Sequence, residues 1–348
     1  MKIENIKIFA QRLGLNKIFR TSLRETDSIS ELVVIIETDV GIEGKGSACD
    51  CSAITGETVP GIREAIVNKI FPVIKGMDIR LHERIFFKIQ NAIAYNNAAK
   101  AAVDMAVYDL LSQYLKIPLF QLLGGYKDYL RTDITLSLDT PEKMAHEAIQ
   151  VGNEGFSILK IKAGGLNPKE DIERVKKIRD AVGDGVKLRI DANQAWKPRD
   201  AVKIINKLEK YDIELIEQPN AYWDTKGLKW ISQRTNIPIM ADESIFTNHD
   251  AFKLLSDNVV DCLNIKLLKC GGINEAVKII NIAETAGIEC MMGCMMEGGI
   301  SIAYAIYLAA AKQNITKVDL DSPLFLETMD PMPYIHYQAP QILLNSTV

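Results

Sequence analysis

The fold is decided by three short apolar runs that each end in an acidic residue: Val186-Lys-Leu-Arg-Ile-Asp191, Ile213-Glu-Leu-Ile-Glu217 and Ile237-Pro-Ile-Met-Ala-Asp242. The acidic ends are 26 and 25 residues apart, about the length of one strand, one helix and two loops. This spacing predicts three successive parallel strands, each with a carboxylate at its C-terminal end. In a (β/α) barrel the chemistry takes place at that end of the strands.

Lysines follow the same spacing on both sides of the acidic residues. A predicted strand upstream ends in Lys160-Ile-Lys162, and its two lysines share a face because alternate side chains in a strand point the same way. Downstream, Cys262-Leu-Asn-Ile-Lys266 ends 24 residues after Asp242. The chain therefore places a lysine pair, three carboxylates and a further lysine on five consecutive strands.

From Leu130 onward the sequence alternates between predicted strands and helices. The eight strands are expected near Ile134–Leu138, Ile158–Lys162, Leu188–Asp191, Leu215–Glu217, Ile239–Ala241, Leu263–Lys266, Glu289–Met292 and Lys317–Asp319. This alternation is typical of a TIM-type barrel, and a doubly wound open sheet is the alternative. We favour the barrel because closure makes the lysines and carboxylates converge, whereas an open sheet would spread them along an edge.

The N-terminal region has a different pattern. Three strands are expected at Lys2–Ala10, Leu32–Thr38 and Ile42–Ala48, and helical segments follow them. Strands followed by helices predict a small α+β domain. Its predicted end lies at Gly125.

The bulk properties exclude several classes of function. The chain has 348 residues and a net charge of −4 with interspersed signs, which gives no indication of a nucleic-acid surface. Its first residues read as a strand, not a signal peptide, and no apolar stretch reaches the length of a membrane span. Six cysteines without C-x-x-C spacing predict reduced thiols in a cytoplasmic protein, and four histidines outside any motif argue against a zinc enzyme. The sequence leaves a homo-oligomer open.

The converging charges predict a particular chemistry. Three carboxylates repel one another unless a cation joins them, and oxygen-only ligands favour one Mg²⁺, for which Mn²⁺ can substitute. The second and sixth strands of an eight-stranded ring lie opposite each other, so Lys162 and Lys266 would face a substrate from two sides. One lysine would remove an α-proton and the other would reprotonate the opposite face, while the metal holds the enediolate. Lys160 would lower the pKa of Lys162.

The combined motifs resemble the enolase superfamily, muconate-lactonizing subgroup. The resemblance rests on Lys160-x-Lys162, Asp191-Ala-Asn193, Glu217-Gln-Pro219, Ala241-Asp-Glu243, and Asn264-Ile-Lys266 with Gly271-Gly272. It implies an α/β fold, a modified (β/α)7β TIM barrel at residues 126–325 under an N-terminal α+β capping domain at residues 1–125. It also implies that Asp191, Glu217 and Asp242 bind Mg²⁺ and that Lys162 and Lys266 are the bases. We expect the tail, residues 326–348, to pack back on the capping domain.

A further motif narrows the substrate. Asp319-Leu-Asp321 follows the eighth strand and resembles the Asp-x-Asp of dipeptide epimerases, which binds the α-ammonium group of the substrate. A substrate with its carboxylate on the metal and its ammonium on these aspartates needs two well-separated charges. A dipeptide meets that need at about 3.3–3.6 Å per extended residue. The alternative for Asp321, which precedes Ser322-Pro323, is a helix cap.

Three more residues are expected to contact the substrate. Arg24 lies in the segment that covers the barrel mouth in relatives, where an arginine can pair with the side chain of the C-terminal substrate residue. Glu297 ends the seventh-strand region, and Thr135 lies in the first strand. Arg24 favours an L-Ala-L-Glu type of dipeptide, whereas Glu297 leaves hydrophobic or basic dipeptides open.

Two other functions use the same features. A lyase or cycloisomerase, such as o-succinylbenzoate synthase or muconate cycloisomerase, would use the same lysines and metal, but its substrate carries no ammonium group for Asp319 and Asp321. A non-catalytic binding protein would need no lysines on two faces of a ligand and would catalyse no exchange of an α-proton with solvent.

Overall fold

An antiparallel sheet begins the fold. The computed structural model describes residues 1–165 and 167–345. Strands β1 (Ile3–Arg20), β2 (Glu25–Thr38) and β3 (Glu43–Cys49) are paired in that order. The sequence placed the end of β1 at Ala10, and that prediction was wrong. The strand continues because it stays paired with β2 as far as the pair Arg20 and Glu25.

Helices cover this sheet in the N-terminal region. They are α1 (Val59–Ala65), α2 (Phe71–Ile74), α3 (His82–Asn91), α4 (Asn97–Leu115) and α5 (Leu119–Leu122), with a π-helical turn at Ile66–Ile70 and a 3-10 turn at Ile79–Leu81. Helix α4 is buried over most of its length and packs across β3. The approach is close enough that a Cβ on Gly46 would lie 2.0 Å from the carbonyl oxygen of Ala102.

Eight parallel strands form the barrel, and the predicted fold class is confirmed. After the short β4 (Tyr129–Arg131) they are β5 (Ile134–Leu136), β6 (Ile158–Lys162), β7 (Lys187–Asp191), β8 (Ile213–Glu217), β9 (Ile239–Ala241), β10 (Cys262–Ile265), β11 (Glu289–Gly293) and β12 (Ile315–Asp319). Consecutive strands are neighbours from β5 to β12. At the seam between the first and last barrel strands, the N–H of Asp133 donates to the carbonyl of Val318 at 3.3 Å.

Helices connect the barrel strands. They are α6 (Pro141–Asn153), α7 (Pro168–Val182), α8 (Pro198–Leu208), α9 (Thr225–Ser232), α10 (Asn248–Ser256), α11 (Leu267–Cys270), α12 (Ile273–Thr285) and α13 (Gly299–Ala311), with 3-10 turns at Glu209–Tyr211 and Ser322–Phe325. Four of these helices, α6, α7, α9 and α10, begin behind a Thr, Asn or Asp whose side chain caps them, as at Thr140 before α6. These helix N-termini follow the C-terminal ends of the barrel strands.

Alternating side chains along a barrel strand belong either to the apolar core or to the charged interior of the barrel. In β6, Leu159 and Ile161 are fully buried apolar residues, whereas Lys160 and Lys162 occupy the alternate positions. Because side chains alternate between the two faces of a strand, the apolar set packs against the helices and the charged set projects into the barrel.

The tail contacts two places. Near its start, Leu326 bridges to Leu15 of β1, and the N–H of Glu327 donates to the carbonyl of Gly14 at 3.0 Å. Farther on, β13 (Ile335–Gln338) and β14 (Gln341–Leu344) form a small antiparallel sheet in which β14 pairs with β4. The last three residues of the predicted tail lie outside the described residues. The domain limits at 125 and 325 stay a prediction.

Candidate active site

The ends of five consecutive barrel strands, β6 to β10, bring the predicted ionisable residues together. Asp191 and Glu217 are the last residues of β7 and β8, and they are paired neighbours in the strand register. Asp242 follows β9 directly. Lys162 ends β6 and is paired with Asp191, while Lys266 follows β10. The regular strand spacing seen in the sequence therefore becomes one ring of charges.

Three of the carboxylates form a group suited to a hard cation. One oxygen from each of Asp191, Glu217 and Asp242 lies within 4.8 Å of the others, and all three side chains are buried. Burial and the neighbouring Asp191 raise the pKa of Glu217 to about 8. Burial is the larger cause of this rise and the neighbouring carboxylate the smaller one, and a divalent cation would stabilise the charged form against both. The oxygen-only donor set fits Mg²⁺ or Mn²⁺.

Hydrogen bonds fix the orientation of these carboxylates. Asn264 Nδ2 donates to Glu217 Oε1 at 2.8 Å, and the N–H of Asn193 donates to Asp191 Oδ1 at 2.9 Å. Although burial opposes its charge, Lys266 and Lys269 hold the pKa of Asp242 well below the usual range. Asp242 therefore stays negatively charged although it is buried.

Lys160 lies between two acidic groups. Its Nζ is 2.7 Å from Glu217 Oε2, 3.3 Å from Asp191 Oδ2 and 2.7 Å from Asp319 Oδ2. Burial disfavours the ammonium form, but Asp319, Glu217 and Asp191 together raise the pKa of Lys160 well above its usual range. Lys160 is therefore charged and is paired with these carboxylates. An influence of Lys160 on Lys162 stays a prediction.

The two candidate bases line the same cavity from different sides. Lys162 Nζ lies 2.6 Å from Asp191 Oδ2, and Lys266 Nζ lies 2.7 Å from Asp242 Oδ2. Burial lowers the pKa of Lys266, but Asp242 outweighs burial and raises it above its usual range. The strands that carry the lysines, β6 and β10, are four positions apart in an eight-stranded order. The lysines therefore approach the cavity from opposite walls.

A second acidic group lies at the seam of the barrel. Asp133, Asp319 and Asp321 each place an oxygen within 4.8 Å of the others, and the last two line the cavity. Thr135 also lines the cavity, and its N–H donates to Asp321 Oδ2 at 2.6 Å. Asp321 precedes a 3-10 turn, but its side chain makes no capping hydrogen bond there. The helix-cap alternative therefore has no support in the structure.

The N-terminal region completes the cavity. Phe19, Arg24 and Ile54 line the cavity together with Met295 and other residues of the β11–α13 connection. Ser22, at the tip of the β1–β2 hairpin, donates to the carbonyl of Asn193 at 3.1 Å and so holds the tip over the barrel.

Glu297 does not line this cavity, contrary to the expected substrate contact. It is buried, and its Oε1 accepts a hydrogen bond from the N–H of Met295 at 2.8 Å. Burial raises the pKa of Glu297 to about 7. The Glu297 carboxylate therefore accepts a hydrogen bond from the backbone of its own loop and does not face the cavity.

Two buried basic residues that were given no catalytic, metal-binding or substrate-binding role from the sequence support the site. Lys269 Nζ donates to Asp242 Oδ1 at 2.5 Å and to the carbonyl of Asn264 at 3.0 Å, so it holds the Asp242 carboxylate against the next strand. Arg189 Nη1 lies 2.8 Å from Asp133 Oδ2, below the cavity. Arg189 could have been found by alternation, since it stands two residues before Asp191 and shares its face. The position of Lys269 depends on the turn after β10, for which the sequence carries no comparable signal.

Comparisons with known proteins agree with this geometry. Residues 4–124 match the mandelate racemase / muconate lactonizing enzyme family, N-terminal domain, and residues 143–339 match the family described as enolase C-terminal domain-like. The chain belongs to the mandelate racemase / muconate lactonizing enzyme family. This result confirms the resemblance to the enolase superfamily that the motifs indicated.

Several of the most similar relatives are epimerases. The chain is 45% identical to an L-Ala-D/L-Glu epimerase of Clostridium acetobutylicum over 99% of this chain and 96% of that protein. It is 46% identical to a hydrophobic dipeptide epimerase of Enterococcus faecalis over 99% of this chain and 97% of that protein. The solved structure of an Enterococcus faecalis dipeptide epimerase, complexed with Mg and the dipeptide L-Leu-L-Tyr, gives a TM-score of 0.95 at 45% identity, with 99% and 98% of the two chains covered.

Proposed function

We propose that this family member is a Mg²⁺-dependent dipeptide epimerase, an isomerase that inverts the α-carbon of the C-terminal residue by proton transfer between two bases. The observation that carries this proposal is one cavity lined by Lys162 and Lys266 from opposite strands and by Asp319 and Asp321 at the seam. The other acidic group is in contact with both lysines, through Asp191 and Asp242. The epimerases of Clostridium acetobutylicum and Enterococcus faecalis support it, since each is similar to nearly the whole chain.

Each residue has a proposed role. Asp191, Glu217 and Asp242 would hold the cation, which when bound would neutralise the substrate carboxylate and so make the adjacent C–H more acidic. Lys162 would take or deliver a proton at one face of that carbon, and Lys266 would do the same at the opposite face. Inversion needs both lysines, because a base that removes a proton and returns it to the same face restores the starting epimer.

Asp319 and Asp321 would bind the substrate ammonium group. They line the cavity from the seam of the barrel. The carboxylates proposed to bind the metal lie elsewhere on the barrel, at the ends of β7, β8 and β9. A substrate that reaches both groups carries separated positive and negative charges, as a dipeptide does. A lyase or cycloisomerase substrate without an ammonium group would leave two buried aspartates beside apolar atoms, which is costly. Arg24 and Thr135 are proposed as further substrate contacts.

The protein is also proposed to act in the cytoplasm as a small-molecule enzyme. All six cysteines are free thiols in the structure, and five of them are buried. Within the described residues, no helix combines the length and apolar character needed to cross a membrane. Assembly into a homo-oligomer stays open.

A dipeptide library incubated in D₂O tests the function. The enzyme with Mg²⁺ should introduce one deuterium at the α-carbon of the C-terminal residue of its substrates, because the lysine that returns the proton exchanges with solvent. Mass spectrometry with fragmentation locates the label, and chiral analysis measures inversion. If no dipeptide gains deuterium while acids without an ammonium group are converted, the lyase alternative replaces this proposal.

The substitution Asp321→Asn separates the proposed ammonium binding by Asp321 from its hydrogen bond with the N–H of Thr135. The asparagine retains an oxygen for the N–H of Thr135 but loses the negative charge. Because a charge that pairs in a buried site is worth about 2–5 kcal/mol, kcat/KM for a dipeptide should fall by roughly 30-fold or more.

N-acetylation of the dipeptide should have a comparable effect on the unmodified enzyme, since it removes the ammonium group. The exposed Asp180→Asn is the matched control and should leave kcat/KM unchanged. Equal turnover of free and acetylated dipeptides would show that Asp319 and Asp321 do not recognise an ammonium group.

A further inference from the structure

We propose that three side chains of the N-terminal region, Gln90, Asn97 and Asp104, position the catalytic Lys266 from outside the barrel. We call these three residues the clamp. The inference rests on the proposed function, because it takes Lys266 as one of the two bases. It assigns the N-terminal region a role in proton transfer at one substrate face, in addition to lining the cavity.

The clamp binds the turn that follows Lys266. Asn97 Nδ2 donates to the carbonyl of Lys269 at 2.7 Å, and Gln90 Nε2 donates to the carbonyl of Gly271 at 2.7 Å. These carbonyls lie at the end of the short helix α11, where backbone oxygens lack partners within the helix. The clamp therefore supplies partners that the local sequence does not provide.

Asp104 caps the next helix from a distant part of the chain. Its Oδ1 accepts a hydrogen bond from the N–H of Ile273 at 2.6 Å, and its Oδ2 accepts one from the N–H of Asn274 at 3.4 Å. The residue in the N-cap position of α12 is Gly272, which has no side chain for capping. Burial raises the pKa of Asp104 well above its usual range, although both backbone bonds oppose the rise.

Two glycines allow this close approach. Gly271 and Gly272 have φ values of +94° and +113°, in the region that favours glycine. A Cβ on Gly272 would lie only 2.4 Å from Asp104 Cγ. The turn therefore packs closely against the clamp because its two glycines have no side chains.

The turn transmits this fixation to Lys266. Lys266 is the N-cap residue of α11, and its carbonyl accepts hydrogen bonds from the N–H groups of Lys269 at 3.0 Å and Cys270 at 3.1 Å. The carbonyl oxygen of Lys269 is in turn held by Asn97. A shift of the turn would therefore move the base itself, and a displacement of about 1 Å can cost about 10²-fold in rate.

The other base is held differently. Lys162 is the last residue of β6, which is paired on both sides with β5 and β7. The side-chain hydrogen bonds that the clamp makes across the described chain go to residues 269–274, not to β6. Loosening the clamp should consequently affect one face of the substrate and spare the other.

The test compares α-proton exchange for the two epimers of one dipeptide substrate. Initial exchange rates are measured by NMR in D₂O at saturating Mg²⁺, and Lys266→Ala and Lys162→Ala first establish which epimer each lysine serves. In the double variant Gln90→Ala/Asn97→Ala, exchange of the epimer served by Lys266 should fall about 10-fold more than exchange of the other. Both clamp residues in this variant are only partly buried, so the fold should survive.

Matched variants complete the experiment. Gln113→Ala removes an amide that also donates from α4 to a backbone carbonyl, that of Glu43, but within the N-terminal region, and it should leave the ratio of the two exchange rates unchanged. Asp104→Ala should lower the ratio, and Asp104→Asn should restore it because asparagine keeps an oxygen for the N–H of Ile273. Should Asp104→Ala fail to fold, the double variant decides alone.

The outcomes separate this inference from the function on which it rests. An equal fall for both epimers, or an unchanged ratio in the double variant, would show that the clamp is only structural and would overturn the inference. If Lys266→Ala and Lys162→Ala do not distinguish the epimers, the two-base function itself is wrong, whatever the clamp variants do.

Discussion

Lys162→Ala and Lys266→Ala should each abolish epimerisation while leaving α-proton exchange of one epimer detectable. Neither variant can complete an inversion, because the face opposite the remaining lysine has no acid to deliver a proton. The loss in turnover should be about 10²–10⁴-fold or more, the usual contribution of a positioned general acid–base group. NMR in D₂O, started separately from each epimer, measures both exchange and inversion.

Opposite stereochemical preferences are the critical feature of this result. Lys162→Ala should exchange only the epimer that presents its proton to Lys266, and Lys266→Ala only the other. Lys253→Ala, which removes a lysine outside the site in α10, serves as a control and should epimerise at the normal rate. Equal loss of exchange for both epimers in both variants, or continued inversion in either, would contradict the assignment of two bases.

Removal of the metal should have a similarly large effect. A chelator should abolish turnover, and Mg²⁺ or Mn²⁺ should restore it, because the substrate carboxylate would otherwise enter a group of buried carboxylates without a neutralising cation. Full activity in the presence of chelator would exclude the proposed mechanism.

Glu217→Gln tests the metal ligands individually. The glutamine retains an oxygen for Asn264 Nδ2, so the hydrogen bond to the next strand can persist while the charge is lost. The affinity for Mn²⁺, followed by titration calorimetry, should fall by about 100-fold or more, since even changes beyond the direct ligands cost 10–100-fold. Asp242→Asn should also weaken binding, and the exposed Glu209→Gln should not. An unchanged affinity in Glu217→Gln or Asp242→Asn would exclude that residue as a ligand.

The barrel was readable from the sequence because its information is local and periodic. Each strand is a short apolar run, and the spacing of Asp191, Glu217 and Asp242 is the length of one βα unit. The ends of such strands must meet when the barrel closes, so the position of the charges followed from the fold class. All eight expected strands are present, with differences of a few residues at their ends.

Features that depend on contacts between distant segments were not readable. The length of β1 follows from its pairing with β2, and much of the strand is exposed on both faces, so no alternation of apolar residues marks it. The bond from Lys269 to Asp242 depends on the geometry of a turn. Glu297 looked available for substrate, but the folding of its own loop turns it to the N–H of Met295.

The ammonium groups among the buried carboxylates have a consequence for how the enzyme is made. Lys160, Lys162, Lys266 and Lys269 already neutralise much of the acidic charge, and the raised pKa of Glu217 lets a proton occupy part of the remainder. We therefore expect the chain to fold without the cation, unlike small domains that fold only around their metal. Folded protein prepared without metal should therefore gain activity when Mg²⁺ is added, without a refolding step.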